Sequence, residues 1–536
     1  MTTTKSALQI ARATYQPKLP AGLCGNVKIT EGTPTESVAD HEALRALFPK
    51  TYGMPNVHFE PSDSAAPCAP LRVGVILSGG QAPGGHNVIC GLFDELKRLN
   101  KDSRLYGFLM GPDGLVKHNY KELTKEYIDE YRGTGGFDMI GSGRTKLEQT
   151  EQFEESLKII RQLGIGAIVI IGGDDSNTNA AMLAEYYAQH DCGVQVIGCP
   201  KTIDGDLKNA QIEASFGFDT ACKVYSELIG NLQRDANSSR KYWHLIKLMG
   251  RSASHIALEC ALQTQPNVCL ISEEVEAKNM SIDDIVTYLC EVIAARAEDG
   301  NNFGSILIPE GIIEFIPEMK SLIAEINDLI AQGKDIDCLS PKNAAVYQSL
   351  PKGVAKQLTL ARDPHGNVSV SLIETEKMLS TLIKEKLAQW KEEGRYSGKF
   401  SYLRHFLGYE GRCAAPSNYD ANYCYALGCS AAQLIRAGKT GYMAVVQNTT
   451  APASQWQAGG VPLTSMMNME VRGGVKKPVI RKALVDLNGK PFLTFAAKRK
   501  EWERETSFVY PGPIQYWGPS EVCDRCTITL SLERGE

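Results

Sequence analysis

Three stretches of this chain carry residue types suited to phosphate chemistry. The first reads Ser78-Gly79-Gly80-Gln81-Ala82-Pro83-Gly84-Gly85-His86-Asn87. Its glycines let backbone N–H groups approach an anion, and a helix starting just beyond favours negative charge at its N-terminus. It matches neither the Walker pattern nor GxGxxG. The second reads Gly172-Gly173-Asp174-Asp175-Ser176. Adjacent carboxylates beside glycines suit magnesium, a hard cation that takes a few carboxylates together with phosphate oxygens. The third, Pro200-Lys201-Thr202-Ile203-Asp204-Gly205-Asp206, sets two acids at i and i+2 with a lysine before them. One aspartate is a candidate general base, and Lys201 a candidate phosphate cation. Taken singly, each stretch is also an ordinary feature: a glycine turn, an aspartate helix cap, a solvated Asp-Gly-Asp turn.

The elements that carry these stretches change the weighing. Leu71–Leu77 reads as a buried strand, and Val88, Ile89, Leu92, Phe93, Leu96 and Leu99 then recur at helical spacing. Ile165–Ile171 and Val194–Cys199 are strand runs that end at the second and third stretches, with a helix between them. Strands alternating with helices predict a mostly parallel sheet covered on both faces, and such sheets bind ligands at the carboxyl ends of their strands. Three such loops on successive strand ends are hard to explain as three unrelated turns. Together they point to magnesium-assisted phosphoryl transfer.

The alternation continues with strands at 242–249, 268–272 and 303–309 and helices at 219–235, 253–263 and 282–298. The fold class expected is α/β, with two doubly wound, mostly parallel Rossmann-like domains. Residues 1–70 form a proline-rich N-terminal extension, 71–240 the first α/β domain and 241–316 the second. Residues 317–407 form a mainly helical insertion, and 408–536 return to both α/β domains.

Composition narrows the function further. The chain has 536 residues, 43% hydrophobic and 22% charged, which is ordinary globular usage. Its 57 basic and 62 acidic side chains leave a net charge of −5, which argues against nucleic-acid or membrane-surface binding by bulk charge. No apolar run approaches the ~20 residues that span a bilayer, and no apolar signal region follows Met1. The 15 cysteines read as reduced thiols of a cytoplasmic protein. Cys523 and Cys526 form a lone CxxC without the second pair that a structural zinc site needs.

The order of short motifs then resembles one family. Gly-Val-Ile-Leu-Ser-Gly-Gly at 74–80, Gly-Ser-Gly-Arg at 141–144, Gly-Gly-Asp-Asp-Ser at 172–176 and Pro-Lys-Thr-Ile-Asp-Gly-Asp at 200–206 are followed by Met-Gly-Arg at 249–251, Pro-Glu-Gly at 309–311 and Tyr-Glu-Gly-Arg at 409–412. This series is similar to the phosphofructokinases, and among them to the long diphosphate-dependent branch. One departure is Gly205, where many members carry asparagine.

The resemblance implies reversible phosphoryl transfer from diphosphate to the 1-hydroxyl of fructose 6-phosphate, a glycolytic step with magnesium as cofactor. It implies that Gly80, Arg144 and Lys201 bind diphosphate and that Asp174 binds magnesium. Asp204 is then the base that takes the hydroxyl proton, assisted by Asp206. Thr202 and Ile203 touch the sugar, and Met249, Gly250, Arg251, Glu310, Tyr409 and Arg412 line the sugar-phosphate pocket. Lys241 and Tyr242 match positions that reach the substrate of a partner subunit, so a homodimer is expected. ATP users of the family carry glycine at the positions of Asp175 and Lys201, so these two residues imply a diphosphate donor.

Three alternatives stand beside this reading. An ATP-dependent phosphofructokinase would share most of these residues. A regulatory, non-catalytic subunit should have lost a catalytic acid or cation, yet Asp174, Lys201, Asp204 and Asp206 are all present. A sugar-binding module with two α/β lobes would not need the acid cluster.

Overall fold

The computed structural model describes residues 7–64, 67–360, 368, 370–472, 475–513 and 519–535. In chain order its strands are β1 (Val27–Pro34), β2 (Pro55–Pro61), β3 (Arg72–Leu77), β4 (Arg104–Phe108), β5 (Tyr120–Glu122), β6 (Ala167–Gly172), β7 (Gln195–Thr202), β8 (Phe216–Gly217), β9 (Trp243–Leu248), β10 (Val268–Cys269), β11 (Gly304–Pro309), β12 (Tyr402–Leu407), β13 (Tyr442–Gln447), β14 (Gln457–Pro462), β15 (Met467–Arg472) and β16 (Val475–Ile480). Two compact units share them. The first comprises Met1–Ala221, Arg412–Ala483 and Ile514–Cys526; the second comprises Cys222–Gly411, Leu484–Pro513 and Thr527–Glu536.

The first unit is built on one sheet in the order β1-β2-β14-β13-β7-β6-β3-β4-β5, with β8 beside β7. Its centre, β13-β7-β6-β3-β4, is parallel. Every residue of β6 is buried, as expected for a parallel strand covered on both faces. Helices Gly85–Leu99, Thr150–Leu163, Asp174–Gln189 and Asn418–Arg436 supply the cover. Strand register matters most for function. Leu77 pairs with Ile171 and Gly172 with Pro200, so β3, β6 and β7 end level with one another.

The second unit carries a parallel sheet in the order β10-β11-β9-β12. The helical insertion packs into the same core: Leu322, Leu379 and Ile383 join Leu245, Leu289, Ile306 and Ile308. Leu248 faces both Pro309 and Leu407, so β9, β11 and β12 also end level.

The α/β class expected from the sequence is the one observed. Two local details go beyond or against the expectation. The N-terminal extension contributes strands β1 and β2 to the large sheet, with helix His41–Leu47 between them. Strand β1 buries one residue of eight, so its pattern carried little signal. The strand expected at 268–272 stops at Cys269, and helix Ser272–Ala277 begins where Glu273 and Glu274 suit a helix N-terminus. No helix among the described residues is long and apolar enough to cross a membrane. No disulfide forms among the described residues, and Cys523 and Cys526 are buried.

Candidate active site

The level ends of β3, β6 and β7 bring the three chemical loops of the first unit together. Gly79 turns the chain at φ 86°, a left-handed conformation that favours glycine. Its N–H donates to the Gly143 carbonyl at 2.8 Å, which seats the loop carrying Arg144 alongside. Ser176 Oγ donates to Ser78 Oγ at 2.8 Å, tying the second loop to the first. Asn177 Nδ2 donates to the carbonyls of Gly172 and Gly173 and fixes the end of β6.

One side of this cluster is cationic. Lys201 is 6% exposed, and its Nζ donates to the Gly80 carbonyl at 2.8 Å. Arg412 Nε donates to the Gln81 carbonyl at 2.9 Å, and its guanidinium lies where a Cβ on Gly80 would stand. A side chain at position 80 would displace this guanidinium. Burial, reinforced by the positive charge of Arg412 and of Arg144, pulls the Lys201 pKa down to about 8, against a smaller opposing pull from Asp204 and Asp174. Like charges crowded over the Gly80–Gln81 backbone are the arrangement an anion relieves.

The other side is acidic. Asp204 and Asp206 flank Gly205, whose φ of 73° is left-handed. Glycine and asparagine are the residues that visit this region most readily, which accounts for the departure from the family pattern. The Asp204 N–H donates to Thr202 Oγ1 at 3.0 Å. Burial, then the neighbouring charge of Asp204 and of Asp174, pushes the Asp206 pKa up to about 7, while Lys482 opposes the rise. Among the described residues, no three His, Cys, Asp or Glu side chains converge as a closed metal cage.

Two lysines escaped the sequence reading. Lys482 Nζ lies 3.6 Å from Asp174 Oδ2 and 3.7 Å from Asp206 Oδ2. Burial disfavours its charge, but Asp174, Asp206, Asp204 and Asp175 outweigh that and raise its pKa. Lys146 Nζ lies 3.4 Å from Asp175 Oδ1, so the Asp175 carboxylate is partly balanced rather than a bare negative wall. Neither lysine sits in a recognisable motif, and only the chain's return through β15 and β16 brings Lys482 to the acids.

The second unit holds the other expected residues. Gly250, at φ 129°, donates its N–H to Glu310 Oε2 at 3.0 Å, joining the ends of β9 and β11. The Met249 N–H donates to the Leu407 carbonyl at 2.9 Å, joining β9 to β12. Arg251 Nε stands 4.0 Å from Glu314 Oε2, and Tyr409 is 65% exposed. Lys241 and Tyr242 precede β9, about 20 Å of strand away from Met249 at ~3.3 Å per residue. The structure does not bring them to Arg251 within one chain. Arg412, grouped by motif order with the sugar-phosphate residues, is placed against the Gly80 loop.

Comparison with known proteins supplies independent findings. The profile described as Phosphofructokinase matches residues 72–435. A Porphyromonas gingivalis protein named pyrophosphate–fructose 6-phosphate 1-phosphotransferase is 64% identical, over 99% of this chain and 100% of that one. A Treponema pallidum protein of the same name is 54% identical, over 99% of this chain and 97% of that one. The crystal structure of a pyrophosphate-dependent phosphofructokinase from Marinobacter aquaeolei aligns with a TM-score of 0.55 at 17% identity, covering 83% of this chain and 94% of that one, a likeness of fold.

Proposed function

The chain belongs to the phosphofructokinase family, and from that premise we infer that it transfers a phosphoryl group from inorganic diphosphate to the 1-hydroxyl of fructose 6-phosphate. The observation that carries this reading is Lys201. Its buried ammonium donates to the Gly80 carbonyl, beside Arg412 and Arg144, and feels the charge of the acids Asp204 and Asp174. Donor phosphate and acceptor base thereby share one strand-end loop.

Diphosphate is held by the backbone at Gly80 and by Lys201 and Arg144, with Arg412 beside them. Arginines suit bidentate phosphate capture. Thr202 and Ile203 position the sugar. Asp204 accepts the proton of the 1-hydroxyl, a poor nucleophile until deprotonated, and Asp206 keeps the Asp204 charge oriented. The sugar oxygen bonds to the near phosphorus as the bridging P–O bond breaks. Fructose 1,6-bisphosphate and inorganic phosphate result, and the reverse reaction follows the same path. Lys201 and Arg144 neutralise the leaving phosphate.

Magnesium fits the donor set. Asp174 and Asp206 stand by the Lys482 ammonium, with Asp204 and Asp175 acting on it from further off, and an open pair of acids matches the habit of magnesium of sharing ligands with phosphate. Asp174 would hold it, and it would supply charge neutralisation on the transferred group. Met249, Gly250, Arg251, Glu310 and Tyr409 receive the sugar phosphate. Lys241 and Tyr242 lie too far along β9 to join them in one chain, and we assign them to the partner's site in a cytoplasmic homodimer.

A coupled assay with fructose 6-phosphate and either diphosphate or ATP, at equal magnesium, tests the reading. Turnover is expected with diphosphate alone, and Asp175→Gly should admit ATP weakly. Wild-type turnover with ATP would overturn the donor assignment.

A further inference from the structure

Lys482 takes no part in the reaction as derived above, yet it is the cation held at the metal-binding acid. Its backbone is braced on both sides. The Arg481 N–H donates to the Met466 carbonyl at 2.9 Å, and the Ala483 N–H donates to the Asp206 carbonyl at 2.7 Å. Just before them, the Ile480 N–H donates to Thr178 Oγ1 at 3.0 Å. The main chain is therefore fixed, and the side chain reaches Asp174 at 3.6 Å and Asp206 at 3.7 Å. Both distances exceed those of a good charge-assisted hydrogen bond, ~2.7–2.9 Å. The ammonium lies within reach of both carboxylates.

We propose that Lys482 is a built-in counter-ion that occupies the Asp174–Asp206 pair until diphosphate arrives, and so couples magnesium binding to diphosphate binding. This rests on the assignment of Asp174 to magnesium under Proposed function. The physical argument is one of like charge. A divalent cation placed on Asp174 meets the Lys482 ammonium a few Å away, and the two repel in a partly dry site. Metal alone therefore binds weakly. Diphosphate supplies anionic oxygens that accept hydrogen bonds from the displaced ammonium and ligate the metal at the same time. Repulsion between two cations becomes shared attraction to one anion, and each ligand raises the affinity of the other by the same factor. A lysine suits this role because its flexible stem lets a point charge move, where an arginine fork tends to lock to one carboxylate.

The test is a titration of the purified full-length protein with Mn²⁺, an oxygen-seeking stand-in for magnesium, read by electron paramagnetic resonance with no substrate present. It is repeated with methylenediphosphonate, a non-hydrolysable diphosphate. Wild type should bind Mn²⁺ weakly alone and about tenfold or more tighter with the analogue. Lys482→Met should bind Mn²⁺ alone about tenfold tighter than wild type and lose most of the gain from the analogue. Lys482→Arg keeps the charge and should stay near wild type without substrate. Thermal melts of each variant with and without Mn²⁺ provide a second readout: Lys482→Met should be less stable alone and gain more on adding metal. Asp174→Asn separates the two layers of argument. If it weakens Mn²⁺ binding and Lys482→Met leaves the affinity unchanged, the counter-ion proposal is overturned and the metal assignment stands. If Asp174→Asn leaves Mn²⁺ binding unchanged, both fall.

Discussion

The two strand-end clusters use one construction and reach opposite finishes. In each unit parallel strands end close to level, and the loops beyond them carry the residues that the sequence motifs single out. In the first unit the loops are cross-linked and partly dry: Lys201 is buried on the Gly80 carbonyl, Arg412 on the Gln81 carbonyl, and Ser176 on Ser78. In the second, backbone bonds fix Gly250 and Met249, while Arg251 and Tyr409 project into solvent. The difference follows from the tasks. A small, rigid diphosphate can be met by a preformed cradle, where donors already aimed at the charge cost no reorganisation. The longer sugar phosphate assigned to the second cluster under Proposed function would be met by these exposed side chains, helped by Lys241 and Tyr242 of a second copy in the proposed homodimer.

Removing machinery from the preformed side should cost rate rather than binding. Asp204→Asn should lower kcat by roughly 10² or more, the span expected for a lost general base, with both KM values and the melting temperature close to wild type. Near-normal turnover would mean that Asp204 is not the base and that the rigid side serves binding alone. A gentler probe of the same side is pH. Lys201 binds diphosphate as an ammonium, and with a pKa near 8 it loses that charge as pH rises. The kcat/KM for diphosphate should therefore fall by up to about tenfold per pH unit above 8, since that ratio reports the free enzyme. Lys201→Arg, which stays charged, should move the falling limb upward. A profile flat to high alkali would remove Lys201 from the cradle.

The open side should respond in KM. A charge-assisted hydrogen bond contributes ~1.5–3 kcal/mol, so Lys241→Met should raise KM for fructose 6-phosphate by about tenfold or more while leaving the KM for diphosphate in place. Light scattering should show a dimer or larger at assay concentration. A fully active monomer would mean that the second unit completes its pocket without help.

How much of this was legible in the sequence differs between the sides for a physical reason. The donor side lies on three short loops whose strands carry strong apolar runs, so local sequence context is enough to place Gly80, Asp174, Lys201 and Asp204. Lys482 has no such context, because it approaches the acids only through the hairpin β15–β16, and its neighbours Arg481 and Ala483 match no motif. Arg412 was legible as a motif residue but not as a neighbour of Gly80, since chain order says nothing about which loop a flexible arginine meets. Buried acids mislead in the opposite direction. Glu213 accepts the N–H groups of Asn448 and Thr449 and the Thr449 hydroxyl at 2.8–3.0 Å, and Glu185 does the same for Lys50 and Thr51 at 2.7–3.3 Å. From sequence alone, such structural carboxylates look like the catalytic kind.

The smallest expected effect concerns stability, and it compares the buried histidines of the two units. In the first unit, His86 accepts the Met139 N–H at Nε2, so its Nδ1 carries the proton toward Thr134 Oγ1 at 2.7 Å. Burial pulls its pKa down to about 3, so its 3.3 Å approach to Asp138 is not an ion pair at neutral pH. In the second unit, His244 Nδ1 and His405 Nε2 lie 2.9 Å apart between β9 and β12. Burial, and then His405, lowers the His244 pKa to about 4, while the distant charge of Asp235 opposes the shift. A histidine whose folded pKa lies below its ordinary value near 6.5 binds fewer protons when folded than when unfolded. Stability is therefore full above about pH 6.5 and declines as pH falls toward 4. The full shift would amount to roughly 3 kcal/mol at ~1.4 kcal/mol per pH unit, but the pair can share a single proton across its ring contact. A loss nearer 1 kcal/mol between pH 6.5 and 5 is expected from this pair. Urea unfolding of wild type and of His244→Gln across that window reads it as a difference in slope, so any overall destabilisation of the variant drops out. Equal slopes would show that the pair is already protonated in the folded chain, and that His86 alone carries histidine-linked acid sensitivity.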